Sequence, residues 1–311
     1  MDMRVIHYFL AAAREGNITK AAKRLHMTQP TLSRQLAELE SELGARLFER
    51  SSRRITLTSE GILFRRRAEE MEELLAKTKE EISSGEELAG TVAVGGGELL
   101  VTSVFVSLIR KFQKEHPHVF FDYQTGVTDR VTERMDMGLI DAAVLVRPFD
   151  SVKYDSVPIG PDAHWGVIMR ADDPLAEKES IRKEDLLGKT VILPGRLELN
   201  AEIANWLGSV RKTITSPIKR DLGGSRVILA EDPGCYVITT EGAAALFDER
   251  RLSFLPLEPE RKIETVIAWK KDQPFGRAAE AFIRFLQKEA AEKGQIPPLI
   301  LKDLFVLLCQ S

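Results

Sequence analysis

Cysteine is nearly missing from this chain: Cys235 and Cys309 are the two in 311 residues. Two distant thiols make no disulfide framework, and no CxxC pair is present. A reducing cytosol is the expected compartment. Long apolar runs are missing too. None approaches the ~20 residues that a membrane span needs, so no membrane contact is expected. The N-terminus carries Asp2 and Glu15 without an apolar stretch and cleavage site, which predicts no signal peptide. The signatures of catalysis fail in turn. In "VGGGEL" the glycines Gly95 and Gly97 are followed by Leu100 where G-x-G-x-x-G needs its third glycine. "GKT" at 188–190 has Lys183 where a phosphate-binding loop needs glycine. His116 and His118 lack companions at zinc spacing, and a loop after a helix explains them more simply. No G-x-S-x-G or H-E-x-x-H occurs. These absences argue against an enzyme, a resident metal and a cofactor.

What remains is an ordinary globular composition, 43% hydrophobic and 29% charged, long enough for two or three domains. The net charge of −3 is unevenly spread: residues 1–67 hold 13 Lys/Arg against 7 Asp/Glu, and the rest holds 31 against 40. A basic head on an acidic body suits a polyanion-binding module. Chance fluctuation of charge along a chain is the plain alternative.

The head reads as short helices. Val5, Ile6, Phe9, Leu10 and Ala13 recur at helical spacing, and Gly16 ends that run. Asn17 or Thr19 can cap a second helix running to about His26. Thr28 can cap a third, with Pro30 in its first turn, where a missing N–H costs nothing. Leu32, Leu36, Leu39 and Leu43 form one face of the third helix. Two helices joined this tightly make a helix-turn-helix. Pro30, Arg34 and Ala37 lie opposite the leucines, with Thr31 and Ser33 at the flanks. A polar face near a helix N-terminus is what reading a major groove requires. "RLFERSSRRITLT" (46–58) then predicts two short strands, a wing whose Arg50, Arg53 and Arg54 suit backbone phosphate or the minor groove. A three-helix bundle with a solvated face is the bland reading. The short turn, the arginine-bearing wing and the local charge together favour DNA.

A long helix is expected from Thr58 to about Ser84. Phe64, Ala68, Met71, Leu75, Thr78 and Ile82 form an a/d seam suited to a second copy, or else to the chain's own surface. After the linker "SSGEELAG" (83–90), strands and helices alternate through "TVAVGG", "VFFDYQTG", "IDAAVLV", "HWGVIMR", "TVILPG", "CYVITT" and "TVIAWKK", closed by a helix over 275–293. That alternation predicts βαβ units and mostly parallel sheets.

"AAKRLHMTQPTLSRQLAELE", "LGARLFER" and "LTSEG" closely resemble, in order, the N-terminus of LysR-type transcriptional regulators. "GTVAVGG", "FQKEHP", "GLIDAAVLV", "DDPLA", "EDLLGKTVIL" and "DERRLSFLPL" agree more faintly. The resemblance implies an α plus α/β architecture. A winged helix-turn-helix (1–58) and a linker helix (59–89) precede an effector domain similar to periplasmic solute-binding proteins. One effector subdomain spans 90–161 plus 266–294, the other 162–265, and an apolar tail 295–311. The implied crossings lie near Gly160–Pro161 and Thr265–Val266. It implies promoter DNA as a partner, a dimer or tetramer of this chain, and contact with RNA polymerase. A small-molecule effector, unidentified, would sit between the subdomains. DNA contacts are then expected from Thr28, Gln29, Pro30, Thr31, Ser33, Arg34, Arg50, Arg53 and Arg54. Dimer contacts are expected from Phe64, Met71, Leu75 and Ile82.

By position the cleft is expected to hold Gly97, Glu98 and Leu99 after the first strand, Gln124 and Thr125 after the second, and Arg147 after "AAVLV". Pro194, Gly195, Arg196 and Leu197 would face them, with Asp232 and Gly234 opposite. A helix N-terminus with Arg147 and Arg196 suits a carboxylate. Glu98 departs from the small hydroxyl residue frequent there in relatives; it either complements the helix dipole or receives an amine. The tail "IPPLILKDLFVLLCQS" packs on its own domain or on another copy. The rival to a regulator is a solute-binding module whose head serves protein assembly, and salt-dependent DNA binding separates the two.

Overall fold

Each of the first helices opens at a side chain that closes its own N-terminus. Asp2 accepts from the N–H of Arg4 to start α1 (Met3–Glu15), Asn17 from that of Lys20 to start α2 (Ile18–Arg24), and Thr28 from that of Thr31 to start α3 (Gln29–Leu43). Such caps satisfy N–H groups that have no partner inside the helix. Gly16 and Gly44 end α1 and α3 at φ 58° and 66°, a left-handed conformation that glycine adopts without steric cost. The second helix is two residues shorter than expected, because the chain turns at His26, φ 54°. The computed structural model describes residues 1–293 except 51–53, 83–86, 98–100, 161, 196, 219–227, 243–247 and 249, and the side chains of 50, 197 and 198. The expected roles of Arg53, Glu98, Leu99 and Arg196, the side chains of Arg50 and Leu197, and the tail 295–311 therefore lie outside the described residues.

Two units result, Met1–Ser84 and Gly85–Ser311. In the first, β1 (Phe48–Arg50) and β2 (Ile55–Leu57) pair antiparallel, and α4 (Ser59–Ile82) follows. Its core joins Ile6, Phe9, Leu10, Ala21, Ala22, Leu32, Leu36, Leu39, Phe48 and Ala68. Ala21 and Ala22, at 0% and 2% exposure, bring α2 against its neighbours. Leu43, expected on the buried face, is 39% exposed, because α3 extends past its partners there.

The seam on α4 is divided. Phe64 lies edge-on to Phe9, centroids 4.8 Å apart; Ala68 is fully buried and Met71 packs on the same core. On the first turns of α4 the expected dimer positions Phe64 and Met71 thus also serve the head's own core, and both stay partly exposed. The 3.5-residue period marks a buried stripe without saying whose surface buries it, and on the first turns α1 and β2 pack against α4.

The second unit holds two sheets. The first contains β3 (Gly90–Gly96), β4 (Val119–Thr125), β5 (Ala142–Val146) and β6 (Tyr154–Pro158), with α5 (Thr102–Glu115) and α6 (Thr128–Asp136) between strands. The second contains β7 (Ala163–Arg170), β8 (Ile181–Arg182), β9 (Thr190–Ile192), β10 (Cys235–Thr240), β11 (Leu252–Glu258) and β12 (Lys262–Ile263), with α7 (Leu197–Leu207) after β9. The chain returns to the first sheet on β13 (Thr265–Lys270) and ends this unit's fold with α8 (Arg277–Lys293).

Strand order is β4-β3-β5-β13-β6 in one sheet and β8-β11-β7-β10-β9 in the other, with β12 on β7. In the first sheet β13 alone opposes its neighbours, and on the main path of the second only β7 does. These are the strands on which the chain arrives from the other sheet. Each begins at the edge where its neighbours end, so each must run backwards. The two passages lie side by side: Ile159 N–H donates to Thr265 O at 3.2 Å, and the Thr265 hydroxyl donates to Ile159 O at 3.1 Å.

Candidate functional site

The outward face of α3 follows from its inward one. Leu32, Leu36 and Leu39 are 0–2% exposed, so positions 30, 31, 34, 37 and 38 must face away. Thr28, Gln29, Pro30, Thr31 and Arg34 are exposed, and Ser33 is half-buried at the flank. The Arg34 side chain is 81% exposed and paired with Glu38, Nε to Oε1 2.8 Å. Glu38 also accepts from Gln35, 2.9 Å. Its carboxylate raises the Arg34 guanidinium above the usual arginine value through that hydrogen bond. Reading the leucine stripe omitted Glu38, although i+4 spacing from Arg34 was the signal for it.

The wing is fastened from below. Glu40 Oε1 accepts from the backbone N–H of Leu47 (2.8 Å) and Phe48 (3.1 Å). Ile55 N–H donates to Gly16 O at 3.0 Å, which leaves the preceding Arg54 exposed. One half of the head therefore presents an exposed, partly cationic helix end, and the wing adds Arg54.

In the second unit, the parallel strands of the first sheet finish along one edge, at Gly97, Thr125, Arg147 and Pro158. Arg147 Nε lies 2.9 Å from Glu264 Oε2, and its guanidinium stands 5.0 Å from the Phe149 ring centre. Gln124 accepts from Arg134 Nε at 2.6 Å and donates to Asp122 at 2.8 Å. Thr125 is exposed. Gly97 O accepts from the Thr102 hydroxyl at 3.0 Å. Tyr123, not anticipated from sequence, places its hydroxyl near Gly96, where a Cβ would come within 2.9 Å of it. Burial raises its ionisation above the usual phenol value. Edge-strand alternation was the available clue.

From the second sheet, β9 ends toward Pro194 and Gly195, and Asn200 donates to Pro194 O at 2.9 Å. Asp232 and Gly234 do not join this group. They precede Cys235 at the start of β10, where Cys235 pairs with Thr190 and the neighbouring β7 has reached Arg170; the hinge-side partner of β7 is Thr240, opposite Trp165. That places Asp232 about 20 Å along the sheet from the edge expected of it. Thr239, Thr240 and Glu241 occupy that edge instead. His164 stands beside them, Nδ1 3.2 Å from Glu241 and Nε2 3.0 Å from Glu260. Among the described residues no cluster of three His, Cys, Asp or Glu could hold a metal ion, and no helix is long and apolar enough to cross a membrane.

Two family models match this chain. "Bacterial regulatory helix-turn-helix protein, lysR family" covers residues 3–62, and "LysR substrate binding domain" covers 85–291. The chain belongs to the LysR family of bacterial transcriptional regulators. It is similar to two Bacillus subtilis proteins. One is the uncharacterised HTH-type transcriptional regulator YybE, 35% identical over 62% of this chain and 66% of that protein. The other is the HTH-type transcriptional regulator BsdA, 39% identical over 46% of this chain and 50% of that protein. The chain thus spans between half and about two thirds of these relatives' length. In fold it resembles CbnR, a LysR family transcriptional regulator also solved with its target DNA. The CbnR crystal structure has 21% identity, covers 93% of this chain and 99% of CbnR, and gives a TM-score of 0.70.

Proposed function

We propose that this protein is a sequence-specific DNA-binding regulator whose promoter binding is tuned by a small molecule held between the two sheets of its second unit. It works in the cytoplasm, by binding and without catalysis. The observation that carries the reading is α3: leucines bury one side, and Gln29, Thr31 and Arg34 stand exposed near its N-terminus on the other. That is the arrangement by which a recognition helix meets base edges in a major groove. Arg34 reads a base, Gln29, Thr31 and Ser33 contact bases or backbone, and Arg50, Arg53 and Arg54 grip phosphate. The layout is a head over 1–58, a linker helix over 59–89 and two effector subdomains crossing near 161 and 265. Two copies pair through the linker helices, and pairs of dimers form a tetramer on a two-fold site.

Gly97, Gln124, Thr125, Arg147, Pro194 and Gly195 line the effector cleft, with Thr239 and Thr240 in place of Asp232. Ligand sites of open α/β sheets favour these strand ends. The effector acts by binding two arrangements of the subdomains unequally.

The test is a binding selection of the full chain against fragmented genomic DNA, with Arg34→Ala in parallel. Enrichment of a few fragments sharing a two-fold motif, reduced in the variant, is expected. If Arg34 reads a base, its loss costs about 1–3 kcal/mol of discrimination there. Equal enrichment by both proteins, or none, defeats the reading.

A further inference from the structure

We infer that Glu38 sets the specificity of α3, by holding Arg34 in a base-reading arrangement and opposing its use as a phosphate clamp. The inference rests on the DNA-binding reading of the head. One carboxylate serves Arg34 of the reading face and the half-buried Gln35 beside it: Oε1 accepts from Arg34 Nε at 2.8 Å and Oε2 from Gln35 Nε2 at 2.9 Å. With Nε engaged, the terminal nitrogens of Arg34 remain as a fork, the geometry that matches guanine O6 and N7. Arg34 and Glu38 are 81% and 53% exposed. A pair so exposed adds little to folding stability. Its effect lies in where the guanidinium points and in the charge that travels with it.

That charge decides between two uses of Arg34. A guanidinium turned onto a phosphate would draw the Glu38 carboxylate toward another anion. On base edges, the same carboxylate meets the amino groups of cytosine or adenine, which donate. The other carboxylates walling the depression of about 290 Å³ beside Glu38 are already paired, Asp2 with Arg4 and Glu42 with the Met1 amino group. On this flank of α3 it is Glu38 whose partner is the exposed Arg34. Specificity is a difference of affinities, and a group that penalises the wrong contact raises it as well as one that improves the right contact.

The experiment measures fluorescence anisotropy of the full chain with two duplexes, the fragment recovered by selection and a random-sequence duplex, over a range of salt. Proteins are wild type, Glu38→Ala, Glu38→Gln, Arg34→Ala and the double alanine variant. Glu38→Ala is expected to tighten binding to the random duplex by about three- to tenfold, as one phosphate contact is gained, and to steepen its log K against log salt slope by about 0.9. The ratio of specific to random affinity falls at least about fivefold, the lower end of what a forked base contact supplies. Glu38→Gln keeps an acceptor for Arg34 Nε and loses the charge, so its ratio lies between. In the Arg34→Ala background the same change at 38 moves the ratio less than twofold, because the two act as one unit. An unchanged ratio and slope in Glu38→Ala, or an equal fall with and without Arg34, overturns the inference. A wild-type protein that does not distinguish the duplexes defeats the DNA reading itself, a result separate from either. Position 38 is exposed and alanine favours helix, so these variants fold.

Discussion

At the scale of single residues, the head depends on a few polar atoms placed under its wing. Glu40 is half-buried and accepts two backbone N–H groups, Leu47 at 2.8 Å and Phe48 at 3.1 Å, from a segment that otherwise leaves α3 without a regular ladder. Charged acceptors make stronger bonds than neutral ones, and an N–H left unpaired on partial burial costs about 1–3 kcal/mol. Glu40→Ala is therefore expected to lower the stability of the head by about 2 kcal/mol. Glu40→Gln, which keeps an acceptor, should lose less. Urea unfolding of the full chain, followed by a probe on the wing, distinguishes them; identical midpoints would show that water replaces the carboxylate. Gly61 is more exacting. A Cβ there would stand 2.0 Å from Leu47 O, a backbone atom that cannot turn aside. Neither residue could have been chosen from sequence, since both depend on where the wing folds back onto the start of α4.

At the scale of elements, helix limits were readable wherever a cap or glycine marked them. Asn17, Thr28 and Gly16 each act locally, within the turn they end or begin. Strands buried on both faces, such as β3 and β5, announced themselves as continuous apolar runs. β6 and β8 did not: one is polar and at a sheet edge, the other two residues long. The reversal of β7 and β13 was also out of reach, because it follows from which sheet the chain has just left. The α4 seam shows the same limit. Its period was visible, yet Phe64, Ala68 and Met71 pack on the head's own core; of the later seam positions Leu75 is half-buried and Ile82 73% exposed, and Leu74, outside the seam, is 43% exposed. A dimer contact is therefore expected on the later turns. Replacing both Leu74 and Ile82 by Asp removes two apolar anchors worth about 1.5–3 kcal/mol each when buried. Sedimentation should show the dimer's Kd rising by about a hundredfold or more. Phe64→Ala, in contrast, should destabilise the head with a smaller effect on assembly. A dimer unaffected by the aspartates would place the contact elsewhere.

At the scale of the molecule, charge and topology assign different work to the two units. Residues 1–67 carry 13 Lys/Arg and 7 Asp/Glu, while the remainder carries 31 and 40. On the proposed reading, the acidic remainder repels a polyanion, and DNA affinity is expected from the head. The second unit instead builds two sheets joined by a pair of crossings, the place proposed for a small ligand that favours one arrangement over another. If the head holds DNA through phosphates, log K must fall linearly with log salt, with a slope of about −0.9 for each phosphate neutralised. Arg54 is exposed at the base of the wing. Arg54→Ala is expected to weaken specific and random duplexes by the same factor and to flatten both slopes by about 0.9, in contrast to Arg34→Ala, which acts mainly on the specific one. Anisotropy titrations at five or more salt concentrations measure both quantities at once. A salt-independent interaction would return the head to the assembly role that its small helical core also permits. A steep slope that Arg54→Ala leaves unaltered would keep DNA binding and move the phosphate grip off the base of the wing.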